Sequence, residues 1–259
     1  MNVPSYPAGH ALLDGKIVVV TAAAGTGIGS AVARRALEEG AKVVVSDWHE
    51  RRLAETAAKL AADHPGNVHS LVCDVTDETH VQALIDGAAD HFGRIDVLVN
   101  NAGLGGTKSI VDMADDEWSR VLDVTLNGTF RCTRAAVRQF IAQGGGGSIV
   151  NNASVIGWRA QQGQAHYAAA KAGVMALTRC TAVDVAEHGI RVNAVAPSLA
   201  MHPFLAKVTS DELLTELAGR EAFGRAAEPW EVANVMVFLA GDYASYLTGE
   251  VISVSSQHP

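Results

Sequence analysis

The stretch "KIVVVTAAAGTGIG", residues 16–29, decides the fold of this chain. Its β-branched run predicts a strand that is buried on both faces. "GSAVARRALEEG" follows, with the apolar spacing of a helix and a glycine at its end. Gly25, Gly27 and Gly29 would let the backbone turn tightly and approach a pyrophosphate at the helix N-terminus. A tight strand–helix turn without any ligand remains an alternative at this point.

Strand and helix patterns alternate from residue 16 to the end of the chain. Further strands are predicted at "KVVVSD", "VHSLVCD", "RIDVLVNNAG", "GSIVNNAS", "IRVNAVAP" and "EVISVS", with helices at 50–63, 77–92, 114–142, 164–188 and 229–240. This order predicts a single α/β domain, with about seven parallel strands and helices on both faces. We place the domain at residues 14–259 and an N-terminal arm at residues 1–13, which is expected to be extended or a loose tail. The long segment 197–228 suggests a lid.

Composition excludes several classes of protein. The 259 residues are 48% hydrophobic and 19% charged, which is typical of a globular chain. A net charge of −8 argues against a nucleic-acid or anionic-membrane partner, and we see no signal peptide or membrane span. Three widely spaced cysteines lack the spacing of a metal site, so we expect reduced thiols, no metal and a cytoplasmic location.

Asp47 ends the second predicted strand, where a carboxylate would accept hydrogen bonds from an adenosine ribose. The same charge would oppose a 2′-phosphate by about 3–4 kcal/mol at an effective dielectric near 20. The cofactor predicted from this residue is therefore NAD rather than NADP, although Arg51 and Arg52 could weaken this preference by reaching back; position 48 is Trp rather than a basic residue. The alternative is a solvated acid at the end of a strand.

Ser154, Tyr167 and Lys171 form the candidate catalytic set. Ser154 follows the fifth strand, and Tyr167 and Lys171 share one face of the next helix. Ketone reduction needs a proton donor and alcohol oxidation needs a base. A nearby ammonium would therefore have to lower the pKa of the tyrosine from its ordinary value of about 10. Ser154 would donate to the substrate oxygen, and Lys171 could also hold the nicotinamide ribose, so Tyr167 and Lys171 count as cofactor-binding residues as well. Taken alone, the Tyr–Lys pair could equally be two amphipathic side chains on an ordinary helix.

Together, "TAAAGTGIG", "NNAG" at 100–103, Ser154 and "YAAAK" resemble the short-chain dehydrogenase/reductase family across residues 14–254. The resemblance implies a single-domain Rossmann fold, a nicotinamide cofactor and a homotetramer. It also implies the roles given above for the serine, tyrosine and lysine. The remaining cofactor contacts that it implies are Thr26 and Ile28 in the glycine turn, Asp74 and Val75 at the adenine, Asn101, Ala102 and Gly103 at its ribose, and Pro197, Ser198 and Leu199 at the nicotinamide.

The chain departs from the family pattern at several positions. The family's fourth catalytic residue is an asparagine, and the matching residue here is Thr125, which we expect to support a proton relay by itself or through a water. Asn127 lies two positions further on and cannot simply replace it. Ala22 stands where the family usually has its first glycine. His202 could touch cofactor or substrate, or could face solvent.

Several apolar residues near the predicted pocket mouth could cover a large hydrophobic substrate, or could be ordinary loop packing. They are Leu104, Gly105, Val155, Trp158, Leu199, Met201, Phe204 and Leu205. Longer runs such as "NNASVIGWRAQ" resemble an actinobacterial subgroup of the family. That subgroup includes a reductase of steroid ring C/D degradation, which acts on a methyl-oxo-indane coenzyme A thioester. The resemblance thus implies a bulky alicyclic ketone or alcohol on a CoA thioester. The alternatives are a 3-oxoacyl-CoA/ACP reductase and a dinucleotide-binding sensor or scaffold without turnover.

Overall fold

A parallel sheet of seven strands organises the protein. Its computed structural model describes residues 2–201 and 211–256, and only the backbone of residues 211–213. The strands are β1 (Ile17–Val20), β2 (Lys42–Asp47), β3 (Val68–Val72), β4 (Val97–Asn100), β5 (Gly147–Asn152), β6 (Ile190–Pro197) and β7 (Val251–Val254). Their order is β3-β2-β1-β4-β5-β6-β7. All six pairings are parallel. The predicted fold class is confirmed.

Helices cover both faces of this sheet. They are α1 (Ile28–Glu38), α2 (Glu50–Asp63), α3 (Glu78–Phe92), α4 (Asp115–Leu122), α5 (Gly128–Gln143), α6 (Ala165–Val185), α7 (Asp211–Arg220) and α8 (Pro229–Ala240). The packing of β1 on both faces explains why its sequence is apolar at every position. Val18 and Val20 pack in a core with residues of α1 and α8, whereas Val19 packs on the opposite face with residues of α3 and α5.

Two segments differ from the sequence prediction. The helix predicted over 114–142 is divided, because a turn of π-helix (Asp123–Asn127) joins α4 to α5. Such turns recur at functional sites. The long segment 197–228 contains α7, which the sequence analysis did not predict. Residues 202–210 lie outside the described part of the chain, so the proposed lid stays a prediction.

The N-terminal arm is bound to α1 and to Glu39 behind it by hydrogen bonds, and does not form a loose tail. The Arg35 guanidinium donates to the carbonyl oxygens of Pro7 (2.7 Å) and Ala8 (3.0 Å). The Glu39 carboxylate accepts from the backbone N–H groups of His10 (2.7 Å) and Leu12 (3.0 Å). Arg35 and Glu39 also pair with each other, with side chains 5% and 0% exposed.

Among residues 2–201 and 211–256, no helix is long and apolar enough to cross a membrane. The same residues contain no cluster of three or more potential metal ligands. Cys73, Cys132 and Cys180 carry free thiols.

Candidate active site

The glycine turn between β1 and α1 leaves an open cradle at the helix N-terminus. Gly25 has a φ of +93°, and a Cβ atom at Gly25 or Gly27 would meet no atom within 4 Å. Helix α1 begins without a side-chain cap at Gly27, so its first N–H groups are available to an anion. These features fit the pyrophosphate of a dinucleotide, which the sequence analysis assigned to Gly25, Thr26, Gly27, Ile28 and Gly29.

Two positions explain the tightness of this turn. Ala22 has a φ of +49°, the left-handed conformation that favours glycine. This is the position where the family pattern has its first glycine. At Gly29, a Cβ atom would collide with the Ala22 carbonyl oxygen and with Asn101 Nδ2. Only glycine fits at residue 29 without moving the turn.

Asp47 lies at the carboxyl end of β2 and reaches back to the turn. Its carboxylate accepts from the Ala24 N–H (3.3 Å) and from the His49 N–H (2.9 Å). The side chain is buried, whereas the neighbouring Trp48 is 68% exposed. Thr56 on α2 holds the next residue of the turn, since its hydroxyl accepts from the Gly25 N–H (2.9 Å).

The residues predicted at the adenine and its ribose lie at neighbouring strand ends. The Asp74 carboxylate accepts from both the backbone N–H (2.9 Å) and the hydroxyl (2.7 Å) of Thr76. Val75 is buried under Gly128, where a Cβ atom would collide with it. After β4, the Thr21 hydroxyl accepts from the backbone N–H groups of Asn101 (3.0 Å) and Ala102 (3.1 Å). Gly103 follows, next to Lys171.

Ser154, Tyr167 and Lys171 converge at the same edge of the sheet. The Ser154 hydroxyl hydrogen-bonds to the Tyr167 side chain and accepts from the Ile156 N–H (3.2 Å). Lys171 Nζ lies 5.6 Å from the centre of the Tyr167 ring and donates to the Asn152 carbonyl oxygen. Lys171 is buried, and Tyr167 is half-buried beside Gly105. The arrangement brings together a hydroxyl pair and an ammonium.

Burial dominates the acid–base properties of this cluster. It raises the pKa of Tyr167, and the hydrogen bond from Ser154 opposes that shift. It also lowers the pKa of Lys171 to about 8. The pKa of the Tyr167 phenol is therefore raised, whereas the sequence analysis expected a nearby ammonium to lower it. A raised pKa keeps Tyr167 protonated near neutral pH but makes the phenol a weaker acid.

Thr125 lies fully buried in the π-helical turn, close to Lys171. A Cβ atom on Gly103 would be 3.5 Å from Lys171 Nζ and 3.8 Å from Thr125 Oγ1, so both side chains border the same small space. The hydroxyl accepts from the Leu104 N–H (3.0 Å) and donates to the Leu104 carbonyl (3.1 Å). Asn127 instead bonds to Asp123 (3.2 Å) on the exposed side, as expected for a residue that cannot replace Thr125.

The segment predicted to meet the nicotinamide leaves β6 at Pro197. The Ser198 N–H donates to the Val254 carbonyl (3.2 Å), and the Leu199 carbonyl accepts from the Ala227 N–H (2.8 Å). Met201 is bound to the same residue, since its N–H donates to the Ala227 carbonyl (3.0 Å). A cavity of about 160 Å³ lies beside Ser198, lined also by Glu221, Phe223, Arg225 and Ser256. It is separate from the catalytic cluster.

The residues predicted around the substrate are only partly described. Val155 is buried, Leu104 and Leu199 are half-buried, and Gly105, Trp158 and Met201 are exposed. His202, Phe204 and Leu205 lie outside the described residues. Sequence reasoning missed His166, which precedes Tyr167 and is 3% exposed; its Nδ1 has no hydrogen-bond partner among the residues that the structure describes. Thr21, Thr56 and Asn152 were missed as well, because the sequence around a polar residue does not show which backbone groups its side chain will contact.

Comparison with known proteins agrees with this geometry. A family model described as enoyl-(acyl carrier protein) reductase matches residues 22–256. The chain is 68% identical over 256 residues to the (5R,7aS)-5-hydroxy-7a-methyl-1-oxo-2,3,5,6,7,7a-hexahydro-1H-indene-carboxyl-CoA reductase of Mycobacterium tuberculosis, covering 99% of this chain and 98% of the relative. It is 40% identical over 242 residues to the 3-oxoacyl-(acyl-carrier-protein) reductase FabG of Thermotoga maritima, covering 93% and 97%.

A solved structure shows the same likeness in three dimensions. A short chain dehydrogenase from Mycobacterium smegmatis superposes with a TM-score of 0.90 and 58% sequence identity. The match covers 100% of this chain and 99% of the other.

Proposed function

Because the chain belongs to the short-chain dehydrogenase/reductase family, we propose that it interconverts a secondary alcohol and a ketone on a bulky alicyclic CoA thioester, with NAD(H) as cofactor. The chain is an oxidoreductase that acts on a hydroxyl or ketone group, and its family implies a nicotinamide dinucleotide. The observation that carries the proposal is the convergence of Ser154, Tyr167 and buried Lys171 beside the open glycine turn.

The proposed roles follow from the contacts. When bound, the dinucleotide supplies or accepts the hydride. Tyr167 gives its phenolic proton to the substrate oxygen during reduction and takes one from the alcohol during oxidation. Ser154 orients that oxygen through its hydroxyl, while Lys171, held by the Asn152 carbonyl, places a positive charge beside the phenol.

Asp47 supports NAD over NADP. Its buried carboxylate lies at the end of β2, adjoining the turn that would hold the pyrophosphate. A 2′-phosphate at that position would meet a negative charge with little solvent between them. The exposed Trp48 supplies no cation to offset this repulsion.

The substrate class rests on the relative from Mycobacterium tuberculosis, whose name describes an indene-carboxyl-CoA. Apolar Leu104, which bonds to Thr125, and Val155, which follows Ser154, suit a bulky alicyclic ring system. The second candidate is reduction of straight-chain 3-oxoacyl thioesters, which the likeness to FabG favours. The third, a dinucleotide-binding sensor without turnover, is opposed by the presence of all three catalytic side chains.

The test is oxidation of NADH, followed by absorbance, with the methyl-oxo-indane CoA ketone beside a short 3-oxoacyl-CoA. The proposal expects rapid oxidation with the bicyclic thioester. Activity with the short thioester alone would favour the second candidate. Binding of NADH without oxidation by either ketone would favour the third.

A matched variant distinguishes chemistry from binding. Tyr167→Phe keeps the aromatic ring and removes only the hydroxyl, so it should bind NADH normally and lose about 10²–10⁴-fold in turnover. Retention of turnover in this variant would contradict the role proposed for Tyr167.

We further propose a homotetramer in the cytoplasm. Apolar side chains are exposed on α5 and α6, including Phe130, Ile141 and Val183, and a second copy of the chain would cover them. The free thiols of all three cysteines fit a reducing compartment.

A further inference from the structure

Two pairs of asparagines lie at the carboxyl ends of β4 and β5. In the register of the sheet, Asn100 lies opposite Asn151. These two form an internal pair, since Asn100 Nδ2 donates to Asn151 Oδ1 (2.9 Å) and Asn151 Nδ2 donates to Thr178 on α6 (2.9 Å). The following residue in each case, Asn101 after β4 and Asn152 at the end of β5, takes part in a separate set of hydrogen bonds.

Asn101 and Asn152 join the glycine turn to the catalytic lysine. Asn101 Nδ2 donates to the Ala22 carbonyl (3.0 Å), and Asn152 Nδ2 donates to Asn101 Oδ1 (2.9 Å). The Asn152 carbonyl in turn accepts from Lys171 Nζ. Three consecutive contacts thus connect the backbone of the turn to the ammonium.

The direction of each hydrogen bond in this chain is determined by the one before it. Ala22 offers a carbonyl, which only accepts, so Asn101 must present its NH₂ group there and its oxygen toward Asn152. Asn152 must then donate, which fixes the orientation of its own amide. A side chain at residue 152 without a donor would leave Asn101 Oδ1 without this partner.

We propose that Asn152 is a positioning residue, which ties Lys171 to the glycine turn so that the two ends of the cofactor site keep a fixed separation. This inference rests on the proposed function. Lys171 is buried, and the Asn152 carbonyl is the partner that holds its ammonium. That carbonyl belongs to the same residue whose side-chain amide donates to Asn101. We therefore expect loss of the side-chain hydrogen bond to displace the lysine as well.

The adjacent asparagine provides a matched control. Asn151 lies on the same strand and is more deeply buried than Asn152, but its side chain bonds to Asn100 and Thr178, away from the turn and from Lys171. Asn151→Leu and Asn152→Leu remove the same atoms one residue apart. Asn152→Ala, which also lacks a donor, is a smaller change for use if the leucine variant does not fold.

The experiment measures NADH affinity by fluorescence titration and the pH dependence of ketone reduction in all variants. Asn152→Leu and Asn152→Ala should weaken NADH binding roughly 10-fold and shift the midpoint of the pH profile. Asn151→Leu should lower thermal stability and move neither quantity.

The outcomes separate this inference from the function on which it rests. Normal NADH affinity and pH profile in both Asn152 variants would overturn the positioning role, as would equal shifts in Asn151→Leu. A wild-type protein that fails to bind NADH would overturn the proposed function, and the positioning role with it.

Discussion

The hydroxyl of Thr125 engages both polar groups of the Leu104 backbone, accepting from the N–H (3.0 Å) and donating to the carbonyl (3.1 Å). A threonine hydroxyl can donate only one hydrogen bond, and here the Leu104 carbonyl accepts it. Thr125 therefore holds the loop that follows Gly103, next to Lys171 and Tyr167. A proton relay through this hydroxyl would first have to break its bond to the Leu104 carbonyl.

We predict that Thr125→Val lowers kcat/KM for ketone reduction about 10-fold, because it leaves two backbone groups of the loop without partners. Thr125→Ser keeps the hydroxyl and should stay close to wild type. Steady-state kinetics of the purified variants give the comparison. If Thr125→Val and Thr125→Asn both turned over at the wild-type rate, neither the loop contact nor a relay would depend on this side chain.

Much of the fold was predictable because the strands are short apolar runs that end in polar or small residues. The predicted "KVVVSD" coincides with β2, and the predicted helix at 50–63 coincides with α2. Ala22 was identified from the sequence as a departure, but only the structure shows its left-handed φ of +49°.

Other features depended on tertiary contacts that no local pattern carries. The π-helical turn at Asp123–Asn127 adds one residue to the hydrogen-bond period, which a helical pattern across 114–142 conceals. The same is true of Arg35 and Glu39, which look like an ordinary exposed i,i+4 pair until the arm covers them.

Replacing Asp47 should change cofactor preference. In Asp47→Ser, the repulsion of a 2′-phosphate, about 3–4 kcal/mol at an effective dielectric near 20, is removed. We expect kcat/KM with NADPH to rise at least 10-fold, with a loss for NADH since the ribose loses an acceptor. Glu55→Ser, which removes an equal charge from an exposed position on α2, should change neither value. An NADPH preference in the wild type would contradict the prediction.

Ketone reduction should decline as the pH rises through about 8, because burial lowers the pKa of Lys171 to about that value. Below it the lysine is an ammonium, and above it the positive charge beside Tyr167 is lost. The raised pKa of Tyr167 keeps the phenol protonated over the same range, so the decline reports the lysine. The measurement is kcat/KM from pH 6 to 10, where about 8 marks the expected midpoint.

Lys171→Arg supplies the control, since arginine stays charged throughout this range. Its residual activity should show no decline near the wild-type midpoint. A wild-type profile that stays level up to pH 10 would show that the charge of Lys171 does not control the reaction.

The buried pair of Arg35 and Glu39 should matter for stability rather than for chemistry. Arg35→Met leaves the Glu39 carboxylate buried without its cation and frees the carbonyls of Pro7 and Ala8. Losing one partner of a buried pair costs about 3–5 kcal/mol. For a domain of this size the thermal midpoint should fall by roughly 10 °C.

Two further variants make this prediction specific. Arg34→Met removes a neighbouring arginine that is 59% exposed and 3.8 Å from Glu38, so its midpoint should stay within about 2 °C of wild type. Adding Glu39→Gln to Arg35→Met removes the unpaired charge and should recover part of the loss. Calorimetry of the three proteins measures these shifts. Equal, small effects of Arg34→Met and Arg35→Met would mean that the arm contributes little to stability.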